Sequence, residues 1–249
     1  PKITKSNPKD VKPNSSTRVT AMSKNSKILA AFAISCTLVV GLVNELTKEK
    51  IKAQEQLQLQ KTLHSIISPE RYNNGITNDC IEMTSTYLGT SDTQKGYIAR
   101  LNNNVQAVAI TAIAPDGYNG NIELIIAVNM DESVSGVRVL KHQETPGLGD
   151  KIELRKSDWI TTFSDKKLLS QNDSRWAVAK ENGMFDQFTG ATITPRAVIK
   201  AVKNAVHYFN SNKANLLTQP NVCNSEALDL IEDEIKPKQS TPTQEKEND

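Results

Sequence analysis

The stretch Val105-Gln106-Ala107-Val108-Ala109-Ile110-Thr111-Ala112-Ile113-Ala114, then Asp116-Gly117-Tyr118-Asn119-Gly120, then Ile122-Glu123-Leu124-Ile125-Ile126-Ala127-Val128-Asn129 reads as two strands joined by a turn. Apolar and β-branched residues fill both runs, and the Asp, Gly and Asn between them supply the backbone freedom of a reversal. The pattern continues on both sides. Residues 97–101 precede it across Asn102-Asn103-Asn104, and residues 134–140 follow it across Met130-Asp131-Glu132. Short runs separated by turn residues predict a meander of antiparallel strands. Helical patterns stand before and after the strands rather than between them, so the expected class is α+β, an antiparallel sheet with packed helices.

Downstream, Asp186-Gln187-Phe188-Thr189-Gly190-Ala191-Thr192-Ile193-Thr194-Pro195 places a hydroxyl-rich turn before a helix. Thr194 reads as the N-cap and Pro195 as the first helical residue, where a missing N–H costs nothing. Val198, Ala201, Val202, Ala205 and Phe209 then share one face of a helix over 195–210. Thr192 stands just ahead of the positive end of that helix, where free N–H groups favour an anion such as a phosphate. Between the last strand and this turn lies His142-Gln143-Glu144-Thr145-Pro146-Gly147-Leu148-Gly149-Asp150-Lys151-Ile152, a loop with two glycines and a proline, followed by a mixed segment containing Trp159 and Trp176.

Upstream, residues 1–26 hold Lys2, Lys5, Lys9, Lys12, Arg18 and Lys24 against one acid, Asp10, with few large apolar groups, and are expected to be disordered. No charge appears from Ile28 to Asn44. Nine large apolar residues in that stretch together contribute roughly −3 to −5 kcal/mol to insertion near a bilayer centre, enough for one N-terminal transmembrane helix over 27–46. No Ala-x-Ala cleavage signal follows it, and too few apolar residues precede Cys36 for a lipoprotein site. Positive charge crowds the N-terminal side, which places the N-terminus in the cytoplasm and the rest of the chain on the other side of the membrane. Residues 47–69, rich in Lys, Glu, Gln and Leu and free of Gly and Pro until Pro69, predict a connecting helix. The folded domain is expected over 70–224 and a disordered polar tail over 225–249.

The chain has 249 residues and a net charge of +2, and its lysines are spread out rather than gathered with aromatics into a stripe, so no nucleic-acid partner is expected. His64, His142 and His207 lie far apart, with no His-x-x-x-His or Cys-x-x-Cys spacing, so no metal site is expected. His142 and Glu144, near a strand end, read as solvated or structural. Cys80 and Cys223, the two cysteines beyond the span, read as a disulfide in an oxidising compartment or as two buried thiols.

The run 186–192 resembles the flavinylation motif, Asp-x-x-Ser/Thr-Gly-Ala-Ser/Thr, of FMN-binding domains in membrane redox ion pumps. The loop from His142 to Ile152 resembles the companion signature of the G subunit of the Rnf (Rsx) electron transport complex, and further similarity extends over roughly residues 28–223. The resemblance implies FMN held covalently by a phosphoester on Thr192, moved there from FAD by an ApbE-type flavin transferase. It implies Thr189, Gly190 and Ala191 as small neighbours that leave the hydroxyl accessible, with Asp186 either assisting that enzyme or capping the turn. Thr145, Gly147 and Leu148 are implied as flavin contacts, with loop N–H groups aimed at the reduced ring. It further implies an electron-carrying flavoprotein in the bacterial inner membrane, its flavin domain periplasmic, whose partners are the other membrane proteins of the Rnf complex. Such a flavoprotein carries electrons within a translocase and has no catalytic residues of its own. Two alternatives remain open from the residues: the corresponding C subunit of the sodium-pumping NADH:quinone oxidoreductase, and a non-redox anchored binding module.

Overall fold

A computed structural model describes residues 15–223. The expectations for residues 1–14 and for the tail from 225 onward lie outside the described residues. Two compact units divide the chain near Glu55.

The first unit consists of most of α1 (Ser15–Ile66). Residues 15–26 are thus helical, which corrects the expectation of disorder there: no Gly or Pro interrupts them, and they continue the helix of the apolar run. Ile28, Phe32, Leu38, Val39 and Leu42 are all exposed, as an apolar helix meant for lipid requires. The stretch is long and apolar enough to cross a membrane. Its hydroxyls are satisfied within the helix, Ser35 Oγ donating to the Ala31 carbonyl at 2.9 Å and Thr37 Oγ1 to that of Ala33 at 2.8 Å. Neither brings an unpaired polar group into the span.

The second unit is built on a five-stranded antiparallel meander, β1 (Cys80–Met83), β2 (Gln94–Leu101), β3 (Asn104–Ala114), β4 (Ile122–Asn129) and β5 (Val134–Lys141), each strand paired with its neighbours in sequence. Asn102 and Asn103, with φ of 51° and 65°, make the tight β2–β3 reversal, whose backbone twist matches that of the flanking strands. Period-2 alternation sorts the strands into two cores. Val108, Ile110, Leu124, Ile126 and Val137 face α2 (Ile193–Leu216) through Val198, Val202, Ala205 and Phe209. On the other face Ala99, Ala107, Ala109 and Ala127 meet Leu63, Ile66 and Ile67, at the end of α1 and just beyond it. These alanines leave room for a helix, and a Cβ on Gly136 would stand 3.0 Å from that of Ile66.

Between β5 and α2 the chain forms short helical turns around an aromatic cluster. Phe163 and Phe185 have ring centroids 4.4 Å apart, Trp159 and Phe188 5.0 Å. Cys80 and Cys223 are joined through their sulfurs, with Cα atoms 5.4 Å apart.

Candidate functional site

The end of β3, the start of β4 and the end of β5 lie at one edge of the sheet, because Ala114 pairs with Ile122 and Glu123 with Lys141. The N-terminus of α2 reaches the same edge, and a cavity of about 260 Å³ opens there. From the loop after β5 it is lined by Glu144, Thr145, Leu148 and Gly149. Residues 190–194 form the facing wall, and Tyr118 of the β3–β4 turn completes it.

Local chemistry shapes both walls. The 145–149 loop folds onto the carbonyl of Thr145, which accepts the N–H of Leu148 and of Gly149, both at 3.1 Å, and that of Asp150 at 3.4 Å. Gly147 takes φ +77°, a left-handed conformation that suits glycine. In the opposite wall the N–H of Ala191 closes a tight turn on the Phe188 carbonyl at 3.2 Å, with Gly190 at φ +83°. Trp159 Nε1–H donates to the Asp186 carbonyl at 2.8 Å, which ties the start of the motif to the aromatic cluster.

α2 begins at Ile193, so Thr192 occupies the N-cap position and Pro195 is the third helical residue. This corrects the expected cap at Thr194. The Thr194 hydroxyl is not spent on a local backbone cap but donates to Glu144 Oε2 at 2.5 Å, across the cavity floor. Pro195 remains within the first turn, where no partner is needed for its nitrogen. Thr192 itself is exposed and makes no side-chain capping bond, leaving its hydroxyl free. Beside it, Arg196 Nη1 donates to the Thr192 carbonyl at 3.2 Å, while Arg196 Nε donates to Glu181 at 2.7 Å.

Of the residues singled out in the sequence, Thr145, Leu148, Gly190, Ala191 and Thr192 line this cavity together. Thr189 and Gly147 do not line it; both are exposed beside it. The loop N–H groups at 148–150, expected to face a cofactor, turn inward to Thr145 instead.

Glu144, expected from its place near a strand end to be solvated or structural, is buried and lines the cavity. Only 4% exposed, it accepts from Thr194 Oγ1 and, at 3.2 Å through Oε1, from the backbone N–H of Asn119. Its own N–H donates to His142 Nδ1 at 3.0 Å, which leaves the His142 proton on Nε2, 2.6 Å from Glu153 Oε1. Arg155, with His142, holds the Glu153 carboxyl down at about 2, against the opposing effect of burial. Among the described residues no group of three or more His, Cys, Asp or Glu is arranged to hold a metal ion.

The cavity suits a flavin mononucleotide. It offers a free hydroxyl and the N-terminal end of α2 for a phosphate, and exposed apolar side chains in Tyr118, Leu148 and Ile193 for a flat ring.

Residues 117–207 match the FMN-binding domain family, and residues 15–66 match the RnfG N-terminal region. The chain is 53% identical to the G subunit of the ion-translocating oxidoreductase complex of Shewanella piezotolerans, over 82% of its own length and 96% of that relative. It is 50% identical to the protein of the same name from Vibrio atlanticus, over 83% of its own length and 99% of the relative. With the Aliivibrio fischeri protein of that name the identity is 48%, over 82% and 98%.

Proposed function

The chain belongs to the RnfG family, the G subunits of ion-translocating oxidoreductase complexes, and from that premise we propose that it is the membrane-anchored flavoprotein of an Rnf-type complex, carrying electrons on FMN bound covalently to Thr192. FMN, when bound, supplies the redox chemistry, and the protein supplies position, charge and exclusion of water.

One observation carries the covalent reading: Thr192 has the cap position of α2 but not the cap's hydrogen bond. Its Oγ is therefore free to attack the FMN phosphorus of FAD, with AMP as the leaving group, when an ApbE-type transferase is present. The N-terminal N–H groups of α2 stabilise the resulting phosphodiester. Asp186 is exposed, and among the described residues its carboxylate makes no hydrogen bond or ion pair, which favours a role toward the transferase over one as a turn cap. Thr145, Leu148 and Ile193 hold the ring side of the cofactor, with Thr189, Gly190 and Gly147 giving the tether room.

We assign residues 27–46 to the membrane and 70–224 to a periplasmic flavin domain, in the bacterial inner membrane, with the other membrane proteins of the complex as partners. The positive N-terminal flank and the Cys80–Cys223 bond both favour this side.

The test is flavin fluorescence in a denaturing gel after co-expression with a flavin transferase. Wild type and Thr192→Ser are expected to fluoresce and Thr192→Val to be dark. A fluorescent Thr192→Val band at wild-type intensity would place the attachment elsewhere.

A further inference from the structure

We propose that the Glu144 carboxylate is the charge that governs the candidate flavin cavity, and that it holds the potential of the bound flavin down. The inference rests on the reading that this cavity receives FMN.

The carboxylate is buried and lines the cavity, and both of its oxygens accept hydrogen bonds, from Thr194 Oγ1 and from the Asn119 N–H. Each of its two oxygens thus has its own donor. Both donors are neutral. Among the described residues no Lys or Arg forms an ion pair with Glu144: Arg196 turns to Glu181, Lys156 to Asp150 and Lys200 to Asp116. His142 does not neutralise it either, since Nδ1 accepts from the Glu144 backbone and the proton on Nε2 faces Glu153. The charge is thus hydrogen-bonded but not cancelled.

Two glycines leave space for it. A Cβ on Gly117 would come within 2.9 Å of Oε1, and one on Gly149 within 2.7 Å of Oε2. The loop N–H groups that could oppose its field are committed, because those of residues 148–150 all point at the Thr145 carbonyl. A ring seated here meets a fixed negative charge on one side, without a row of donors on the other. Reduction adds electron density to that ring, and a nearby carboxylate in a partly water-excluded site opposes it.

The experiment is a redox titration at pH 8 of the full-length protein carrying its flavin, for wild type, Glu144→Asp, Glu144→Gln and Thr194→Val, with flavin content read in a denaturing gel. Glu144→Gln removes the charge and is expected to shift the oxidised-to-reduced ratio at fixed ambient potential toward the reduced form by roughly tenfold, about 59 mV for a one-electron couple. Glu144→Asp keeps the charge and stays near wild type. Thr194→Val withdraws a donor, leaves the charge less stabilised and moves the potential the opposite way. A loaded Glu144→Gln protein titrating with wild type would overturn the inference and leave the Thr192 attachment standing. If that variant carries no flavin, Thr194→Val decides: a potential at or above wild type overturns the proposal, a lower one supports it. A wild-type protein without gel fluorescence would instead overturn the reading of the cavity, and the inference with it.

Discussion

Gly190 and Leu148 meet across the cavity mouth: a Cβ built on Gly190 would stand 3.2 Å from Leu148 Cδ2. Two loops far apart in sequence are thereby fitted to one another. Substituting Gly190 by Val brings two penalties. The left-handed backbone at φ +83° costs a side chain about 1–2 kcal/mol, and the added bulk pushes Leu148 aside. A melting temperature lowered by a few degrees and reduced flavin incorporation are expected, with Gly190→Ala milder. Wild-type melting and wild-type loading in Gly190→Val would show that the two loops are not matched in this way.

Leu148 is 41% exposed while lining the cavity, an apolar side chain with little protein over it. Leu148→Ala should leave the proposed attachment at Thr192 unaffected, because the hydroxyl and the α2 N-terminus are untouched. The visible absorption of the flavin should shift toward that of the cofactor in water. An unchanged spectrum would remove Leu148 from the cofactor's surroundings.

The bond between Cys80 and Cys223 closes a loop with a sequence separation of 143 residues. In the chain-entropy account, closure of a loop this long is worth about 4–5 kcal/mol, so reduction should lower the melting temperature by on the order of 10 °C. Titration of the unreduced, denatured protein should find one thiol, that of Cys36. Three thiols would show that the bond is absent from the protein.

Low pH should weaken the folded domain. Arg175 holds the Asp173 carboxyl far below the usual range, Lys167 and Ser133 do the same for Asp131, and Arg155 and His142 bring Glu153 to about 2. Each folded value lies below that of the unfolded chain, near 4. Their contribution is therefore complete above pH about 5 and is lost progressively as the pH falls below about 4 and through the depressed folded values. Melting curves of wild type and Asp173→Asn should differ most near neutrality and converge toward pH 2. A gap that stayed constant over that range would exclude Asp173 as a source of the acid sensitivity.

The sheet was largely legible because its strands are apolar runs cut by Asn, Asp and Gly, and these cuts coincide with the real reversals. β1 was not, since Cys80–Met83 spans four residues with Glu82 among them, too few for an alternation to register. α2 runs to Leu216 rather than ending at residue 210, because its last turns are stabilised by packing of Leu216 into the core rather than by any local signal. The start of α2 shows the same limit from the other end. Thr194 followed by Pro195 has the local grammar of a cap, but its hydroxyl goes to a carboxylate fifty residues earlier. Glu144 read only as solvated or structural for that reason: its burial depends on the turn at 117–119 and on α2, neither of which is adjacent in sequence. The two motif loops were legible as loops, while their joint cavity is a product of the sheet edge.

The alanine face of the sheet has a practical meaning for anyone cutting this protein free of its membrane. Leu63, Ile66 and Ile67 cover Ala99, Ala107, Ala109 and Ala127, with Leu59 packed against the same cluster. A fragment starting at Pro69 would leave that face bare and prone to self-association, whereas one starting ahead of Leu59 keeps its cover. The final turns of the anchor helix belong, in engineering terms, to the soluble half.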